Sequence, residues 1–353
     1  MIILPVRDSP QLVASCLASI EQRVPRDVGL CIVDDASRPE TQVLLENHRD
    51  TADRQIVLVR NGTGRGFSAA ANTGLTLAEG SGARCVLVLN SDTIILGHAV
   101  LLLFRALAQS PLIAAAGPLS NAAGLQAVPS SVPTLTDRCL LRTARNPGSP
   151  QAFEEALRAV SGGATQAGMS PPPSIRVGRL HGFAMALRLA AIRDVGLLDA
   201  ASFPTGHGVE TDLSIRLRQA GYELTVVPEA FIWHARNGST PHLHRIRGVL
   251  QSRRTLRRRH GPTLLRMADE TTRRALALPE HRASIAARLG ALEVDGTREG
   301  PGMAPKYIPR RDVFSPHPLR HDEPGSRASD SGDRTSPAHA APSCSSREAP
   351  RRR

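Results

Sequence analysis

The chain has 353 residues, 41% hydrophobic and 3% aromatic, with 44 basic against 32 acidic side chains and a formal net charge of +12. That length holds one large domain or two small ones, and much of the positive charge lies from His242 onward, in HLHRIRGVLQSRRTLRRRHG and the terminal SSREAPRRR, on a near-neutral body. Nucleic acid is disfavoured as a partner because aromatic residues for base stacking are nearly absent, which leaves a solvated basic face or contact with an anionic membrane.

Five cysteines, Cys16, Cys31, Cys85, Cys139 and Cys344, are odd in number and scattered without a CxxC pair. That argues against a disulfide framework and a zinc site and suggests a reducing compartment. No apolar run approaches the length of a transmembrane helix, and Met1 leads straight into IILPV without a signal-peptide layout. The expected location is cytoplasmic, with peripheral contact at the inner face of a membrane.

Ile2 to Val6 reads as a strand and Gln11 to Gln22 as a helix, with Leu12, Cys16, Leu17 and Ile20 at helical spacing and Ser9 before Pro10 at its start. Gly29 to Val33 is the next strand, ending in Asp34, Asp35, Ala36 and Ser37. Glu40 to His48 suits a helix and Gln55 to Val59 a third strand. This alternation implies a parallel sheet. The segment NGTGRGFSAAANTG (61–74) then leads into a small-residue helix near Ser68. Its glycines permit close backbone approach, and the helix amides point toward any anion in the cleft. It lacks the GK[ST] of a P-loop and stands in the wrong place for a dinucleotide GxGxxG.

Val86 to Leu89 is unbroken by charge, as expected of a strand buried on both faces. Asn90, Ser91 and Asp92 follow where that strand ends. An aspartate there is either a turn-capping residue or a site residue, because ligands of open α/β sheets bind outside the carboxyl ends of the strands. Three acidic or glycine-rich loops thus fall at the ends of three successive strands, which favours a site.

The series PVRD, IVDDAS, RNGTGRGFSAAANTG and VLVLNSDTIIL resembles the nucleotide-sugar half of the family 2 glycosyltransferases, in particular bacterial rhamnosyl- and galactosyl-type cell-envelope enzymes. The resemblance implies a GT-A fold, a Rossmann-like, mostly parallel sheet flanked by helices. It also implies a nucleotide diphosphate sugar as donor and a divalent metal, Mg2+ or Mn2+, as cofactor. By resemblance Pro5, Asp34, Asp35 and Ser37 serve the base and ribose, Arg65 and Gly66 lie beside the nucleotide, Asn90 and Ser91 adjoin the diphosphate, and Asp92 ligates the metal. Three positions depart from the pattern. Asn90 replaces the first carboxylate of the DxD triplet, Gly64 stands where the third block has its first asparagine, and Arg7-Asp8 replaces a Tyr-Asn type pair.

Leu101 to Leu107 reads as a helix. From Gly117 to Arg179 the chain is rich in Pro, Gly and Ser, with one helical pattern at Gln151 to Val160, as in a lid or acceptor-binding insertion. HGFAMALRLAAIRDVGLLD (181–199) resembles the family's GxxMxxRR segment, with Leu189 for the second arginine. In FPTGHGVETDLSIRLRQAGY (203–222), Glu210 and Asp212 open a helix that Gly221 closes. Two carboxylates in a first turn serve either the helix dipole or, as the resemblance implies, general base catalysis on the acceptor hydroxyl; Glu210 takes the base position, with Asp212 as competitor. Val226 to His234 is a strand, and HARNGST resembles the HxxGxS element whose histidine, His234, completes the metal site with Asp92.

Pro241 to His260 forms a basic helix with Ile246, Val249, Leu250 and Leu256 as its dry face; it either packs on the domain or lies on an anionic bilayer. Thr263 to Leu292 also reads as helical. The expected division is a domain at 1–240 (nucleotide-sugar half 1–115, insertion 116–179, acceptor and base half 180–240), a basic helical extension at 241–300 and a disordered basic tail at 301–353. The implied activity is inverting transfer of a sugar to a glycan or lipid-linked acceptor. Two alternatives remain, a silent GT-A-fold scaffold and a sugar nucleotidylyltransferase; PVRDSPQL lacks the glycine-rich signature the latter needs.

Overall fold

The computed structural model describes residues 1–127, 174–235 and 242–277. The helical pattern at 151–160, most of the 116–179 insertion, residues 236–241 of the HARNGST element and everything after 277, including the expected tail at 301–353, lie outside the described residues.

Strands and helices alternate through the first half as the periodicity predicts: β1 (Ile2–Val6), α1 (Pro10–Arg23), β2 (Leu30–Asp34), α2 (Pro39–Thr51), β3 (Ile56–Arg60), α3 (Phe67–Gly80) and β4 (Cys85–Leu89). β1 pairs in parallel with both β2 and β4, and β2 pairs in parallel with β3. The order β3-β2-β1-β4 therefore reverses direction at β1, and such a switch opens a crevice at the carboxyl ends of the strands.

Pro5 marks where that crevice begins. β1 is matched to β2 over its full length, to Val6↔Asp34, but to β4 only at Ile2↔Leu87 and Ile3↔Val88. Ile2 gives its N–H to Gly29 on the β2 side, so by alternation the amide of Pro5 faces β4. Proline has no hydrogen to offer there, and its place in a central strand is tolerated because that ladder has already ended.

The second half adds β5 (Thr93–Ile95), α4 (Ala99–Ala108), β6 (Ile113–Leu119), β7 (Ile175–Val177), β8 (Ala184–Arg188), α5 (Leu189–Val195), α6 (Val209–Gln219), β9 (Glu223–His234) and α7 (His242–Ala277). The full order is β3-β2-β1-β4-β8-β6-β9-β5, with β7 also on β9. β8 lies antiparallel between β4 and β6, while β6 and β9 are parallel. The class is α/β with helices on both faces of the sheet.

Side-chain alternation along β1 divides the core. Ile2 and Leu4 join Val13, Leu17, Ile20, Leu45, Leu103 and Leu107 under α1, α2 and α4. Ile3 faces the other way, toward Ala71 and Leu75 of α3 and the cluster containing Leu213, Leu217 and Leu256. At the end of α6, Gly221 is left-handed (φ 87°), and Tyr222 and Gly221 donate to the carbonyls of Leu217 and Arg218. This closes the helix as its sequence foretells.

α7 packs on the domain, but through a different stripe from the one its aliphatic residues suggest. Ile246 and Leu250 are 41% and 49% exposed. The inward face is Gly248, Ser252 and Leu256, four residues apart, with Gly248 against Thr205 and Leu256 against Gly208. Leu256 is buried as its sequence suggests, while Gly248 and Ser252 let the helix approach closely and Ile246 and Leu250 are left outside. α7 breaks at Gly261 (φ 73°) before Pro262, because proline removes a helical hydrogen bond.

Candidate active site

The carboxyl ends of β1 and β2 carry the acidic network. Asp34 is fully buried; its Oδ1 accepts from the Ser37 amide at 2.9 Å and its Oδ2 from Arg60 Nε at 2.9 Å. Asp35, 3% exposed, turns toward the glycine loop: Oδ1 accepts from Asn61 Nδ2 (2.9 Å) and the Arg65 amide (2.8 Å), and Oδ2 from the Gly66 amide (2.8 Å). Arg7 Nη1 stands 3.7 Å from Asp35 Oδ2. Ser37 Oγ accepts from the Asp8 amide (3.0 Å), and Asp8 Oδ1 from the Arg38 amide (2.8 Å). The DDAS loop, the Arg7-Asp8 turn and the glycine loop are thereby one body.

Among the described residues the non-glycine positions with positive φ are Asp8, Ser9 and Ala36, all on these loops. Strained backbone of this kind persists where its surroundings over-determine it, commonly at functional sites. Pro5 is buried and Arg65 is exposed at the loop's surface. Gly66 (φ 82°) caps α3, and a Cβ added there would stand 2.8 Å from the Pro204 carbonyl.

Beyond β4 the chain turns through Asn90, Ser91 and Asp92 into β5. The Asn90 amide donates to Phe183 and its carbonyl accepts from Thr93 Oγ1 at 2.7 Å. β5 pairs antiparallel with β9, Thr93 opposite His234, and this register brings Asp92 and His234 together. His234 Nε2 lies 3.3 Å from Asp92 Oδ1, while Nδ1 lies 3.0 Å from the Ala122 carbonyl. A carbonyl can only accept, so Nδ1 carries the proton. Nε2 then faces a carboxylate with a lone pair unless it holds a second proton or a cation. That donor set, one imidazole nitrogen oriented from behind and one carboxylate, fits a divalent metal completed by oxygen ligands.

Asn121 brackets His234: its Oδ1 accepts from the His234 amide (2.8 Å) and its Nδ2 donates to the His234 carbonyl (3.0 Å). The His234 ring stacks on Phe183 with centroids 5.1 Å apart and 17° between planes. The GPLSNAAG stretch containing Asn121 is legible as a loop, but nothing in it signals a partner 113 residues away.

Phe183 also leads to the carboxylates of α6. Its neighbour Gly182 sits against Glu210; a Cβ there would be 3.0 Å from Glu210 Cβ. Glu210 keeps some exposed surface, yet burial is the largest influence on its carboxyl and pushes it above the ordinary 4.5, with the Arg179 charge pulling the other way. Asp212 points elsewhere. It is fully buried, with Arg216 Nε on Oδ2 at 2.8 Å, His260 Nε2 on Oδ1 at 2.8 Å and Arg259 Nη1 at 3.3 Å from Oδ1.

The segment between α5 and α6 joins the two halves of the site. Asn72 of α3 grips Leu198 twice, donating to its carbonyl (2.7 Å) and accepting from its amide (3.0 Å). Pro204 lies over Gly66 and Gly206 over Phe67, and Gly208 starts the helix that bears Glu210.

Residues 1–131 match the family model described as Glycosyl transferase family 2. No curated protein matches the chain. Among solved structures, the mannosyltransferase PcManGT from Pyrobaculum calidifontis, in complex with GDP-Man and Mn2+, is 20% identical, covering 84% of this chain and 75% of that one with a TM-score of 0.50. GalNAc-T7 with UDP, GalNAc and Mn2+ is 16% identical over 66% of this chain and 43% of its own, TM-score 0.47. S. aureus TarS 1–349 is 12% identical over 82% and 88%, TM-score 0.43. With its strand order and the reversal at β1, the chain has a GT-A fold, and its residues 1–131 match the Glycosyl transferase family 2 model.

Proposed function

We propose that the chain is an inverting glycosyltransferase that moves a sugar from a nucleotide diphosphate sugar to an acceptor hydroxyl, in polysaccharide or cell-envelope glycan synthesis. The observation that carries this reading is the convergence on residues 181–183 of the Asp92–His234 pair on one side and Glu210 on the other. The family match and the GDP-Man and Mn2+ of the mannosyltransferase support it.

In this reading Asp35 orders the glycine loop so that Pro5, Ser37, Arg65 and Gly66 frame the nucleoside, and Asn90 and Ser91 line the turn beside the diphosphate. Asp92 and His234 Nε2 hold Mg2+ or Mn2+, which when bound neutralises charge on the leaving diphosphate. Glu210 takes the proton from the acceptor hydroxyl as its oxygen attacks the anomeric carbon from the face opposite the diphosphate. Burial raises its basicity, which suits that work. Asp212, enclosed by three cationic or imidazole partners, is a poor rival.

The outward stripe of α7 supports contact with an anionic membrane bearing a lipid-linked acceptor: Arg247, Arg254 and Arg258 are exposed, with Ile246 and Leu250 among them. No helix among the described residues is long and apolar enough to cross a membrane.

The test is release of nucleoside diphosphate from UDP-, dTDP- and GDP-sugars with and without Mn2+, for wild type and Asp92→Ala. Metal-dependent turnover of one donor, lost in the variant, is the expected result. Absence of turnover and of metal-dependent nucleotide binding with every donor would overturn the reading in favour of a silent scaffold.

A further inference from the structure

Glu210 has two charged neighbours of opposite sign, Asp212 two positions along α6 and Arg179 ahead of β8, and both are held from α7. His260 Nε2 and Arg259 Nη1 reach Asp212 Oδ1 at 2.8 and 3.3 Å. Arg179 is ion-paired with Asp269, and its amide donates to Thr272 Oγ1 at 3.0 Å, as does that of Gly178. One to two turns ahead of His260 on α7, Leu256 and Ser252 pack on Gly208, the residue that starts α6. α7 lies wholly outside residues 1–131 that match the family. His260 is 4% exposed at its side chain, Asp212 not at all.

A buried carboxylate with imidazole and guanidinium partners is expensive to place, and solvation of α6 alone would not require it. Its geometric effect is to fix the first turn of α6 from behind. The Arg216 and Arg259 guanidiniums also offset the Asp212 charge two residues from the base, and an uncompensated like charge would disfavour the ionised form of a neighbour. We infer that α7 is part of the catalytic apparatus, with His260 as a positioning residue that acts on Glu210 through Asp212, and Asp269 and Thr272 holding Arg179 on the other flank.

This inference rests on the role of Glu210 proposed above. The groups facing Asp212 are Arg216 from its own helix and Arg259 and His260 from α7; the charge acting on Glu210 from ahead of β8 is Arg179.

The test uses the full chain and the donor identified above, with wild type, His260→Ala and His260→Gln. The expected result is a loss in kcat of about 10-fold or more for His260→Ala with donor KM little changed. The acid limb of its pH–rate profile should move to higher pH. His260→Gln, which keeps an N–H for Asp212 Oδ1, should recover most of both. Arg179 is tested in parallel through Thr272→Val, whose acid limb should also move. Lower thermal stability in His260→Ala with unchanged kcat and unchanged limb would overturn the inference and leave α7 a packing element. Should His260→Ala fail to fold, the limb of Thr272→Val decides, an unmoved limb overturning the inference. Absence of turnover in the wild type would overturn the proposed function itself, and this inference with it, so the two failures are distinguishable.

Discussion

Glu210 carries a conflict between stability and chemistry that can be measured. Its carboxyl is raised above 4.5 by burial, so the folded state holds the proton more tightly than the unfolded chain. The stability it contributes is full below the unfolded value and declines as pH climbs through the folded one. Glu210→Gln should therefore melt at or above the wild-type temperature at neutral pH, with the gap closing on acidification, as differential scanning fluorimetry across pH would show. The same variant should lose about 10²–10⁴-fold in kcat. A variant that melts lower at neutral pH would show that the ionised carboxylate is stabilised by its surroundings. Asn121 poses a simpler question at the same scale. It holds His234 by both backbone groups without touching the imidazole nitrogens, so Asn121→Ala should weaken Mn2+ binding in the presence of nucleoside diphosphate about 10-fold, read by titration calorimetry.

Among the elements, α1 is anchored at its C-terminus by one buried side chain. Arg54 donates to the carbonyls of Ile20 (3.2 Å), Val24 (3.0 Å) and Val28 (2.7 Å) and pairs with Glu21 at 2.8 Å. Arg54→Met removes all of these bonds at once, although Ile20 keeps the Val24 amide and Glu21 keeps Arg26, and should cost about 3 kcal/mol, seen as a lower urea midpoint with an unchanged slope. Arg54 gave no signal in the sequence, where an arginine in TADRQ reads as surface. The same reason explains what else was hidden. Alternating strands and helices, and the acidic and glycine-rich loops after them, are local patterns and could be read from β1 to β4 nearly to the residue. Contacts made across the sheet were not legible: Asn121 on His234, Asn72 on Leu198, His260 on Asp212. On the inward stripe of α7 hydropathy finds Leu256 but favours Ile246 and Leu250 over Gly248 and Ser252, which close approach selects.

At the scale of the whole molecule, α7 gathers the exposed Arg247, Arg254 and Arg258 beside Leu250. Each basic residue near an anionic surface contributes about 1 kcal/mol of attraction. The full chain should co-sediment with vesicles containing phosphatidylglycerol and not with phosphatidylcholine alone, and Arg247→Glu combined with Arg254→Glu should abolish most of that binding. Equal binding by the double variant would place the contact elsewhere. The segment from Leu198 to Gly208 has a wider consequence. It is gripped by α3 at one end, covers the glycine loop at Gly66, and becomes the cap of the helix that bears Glu210 at the other. Under the proposed function this segment links the nucleotide loop to the helix that bears Glu210, so any influence of donor on acceptor would pass through it, and thermodynamics makes such an influence mutual. If donor raises acceptor affinity by some factor, acceptor must raise donor affinity by the same factor. The two substrates are then partners in a single linkage, in which the first to arrive prepares the place of the second.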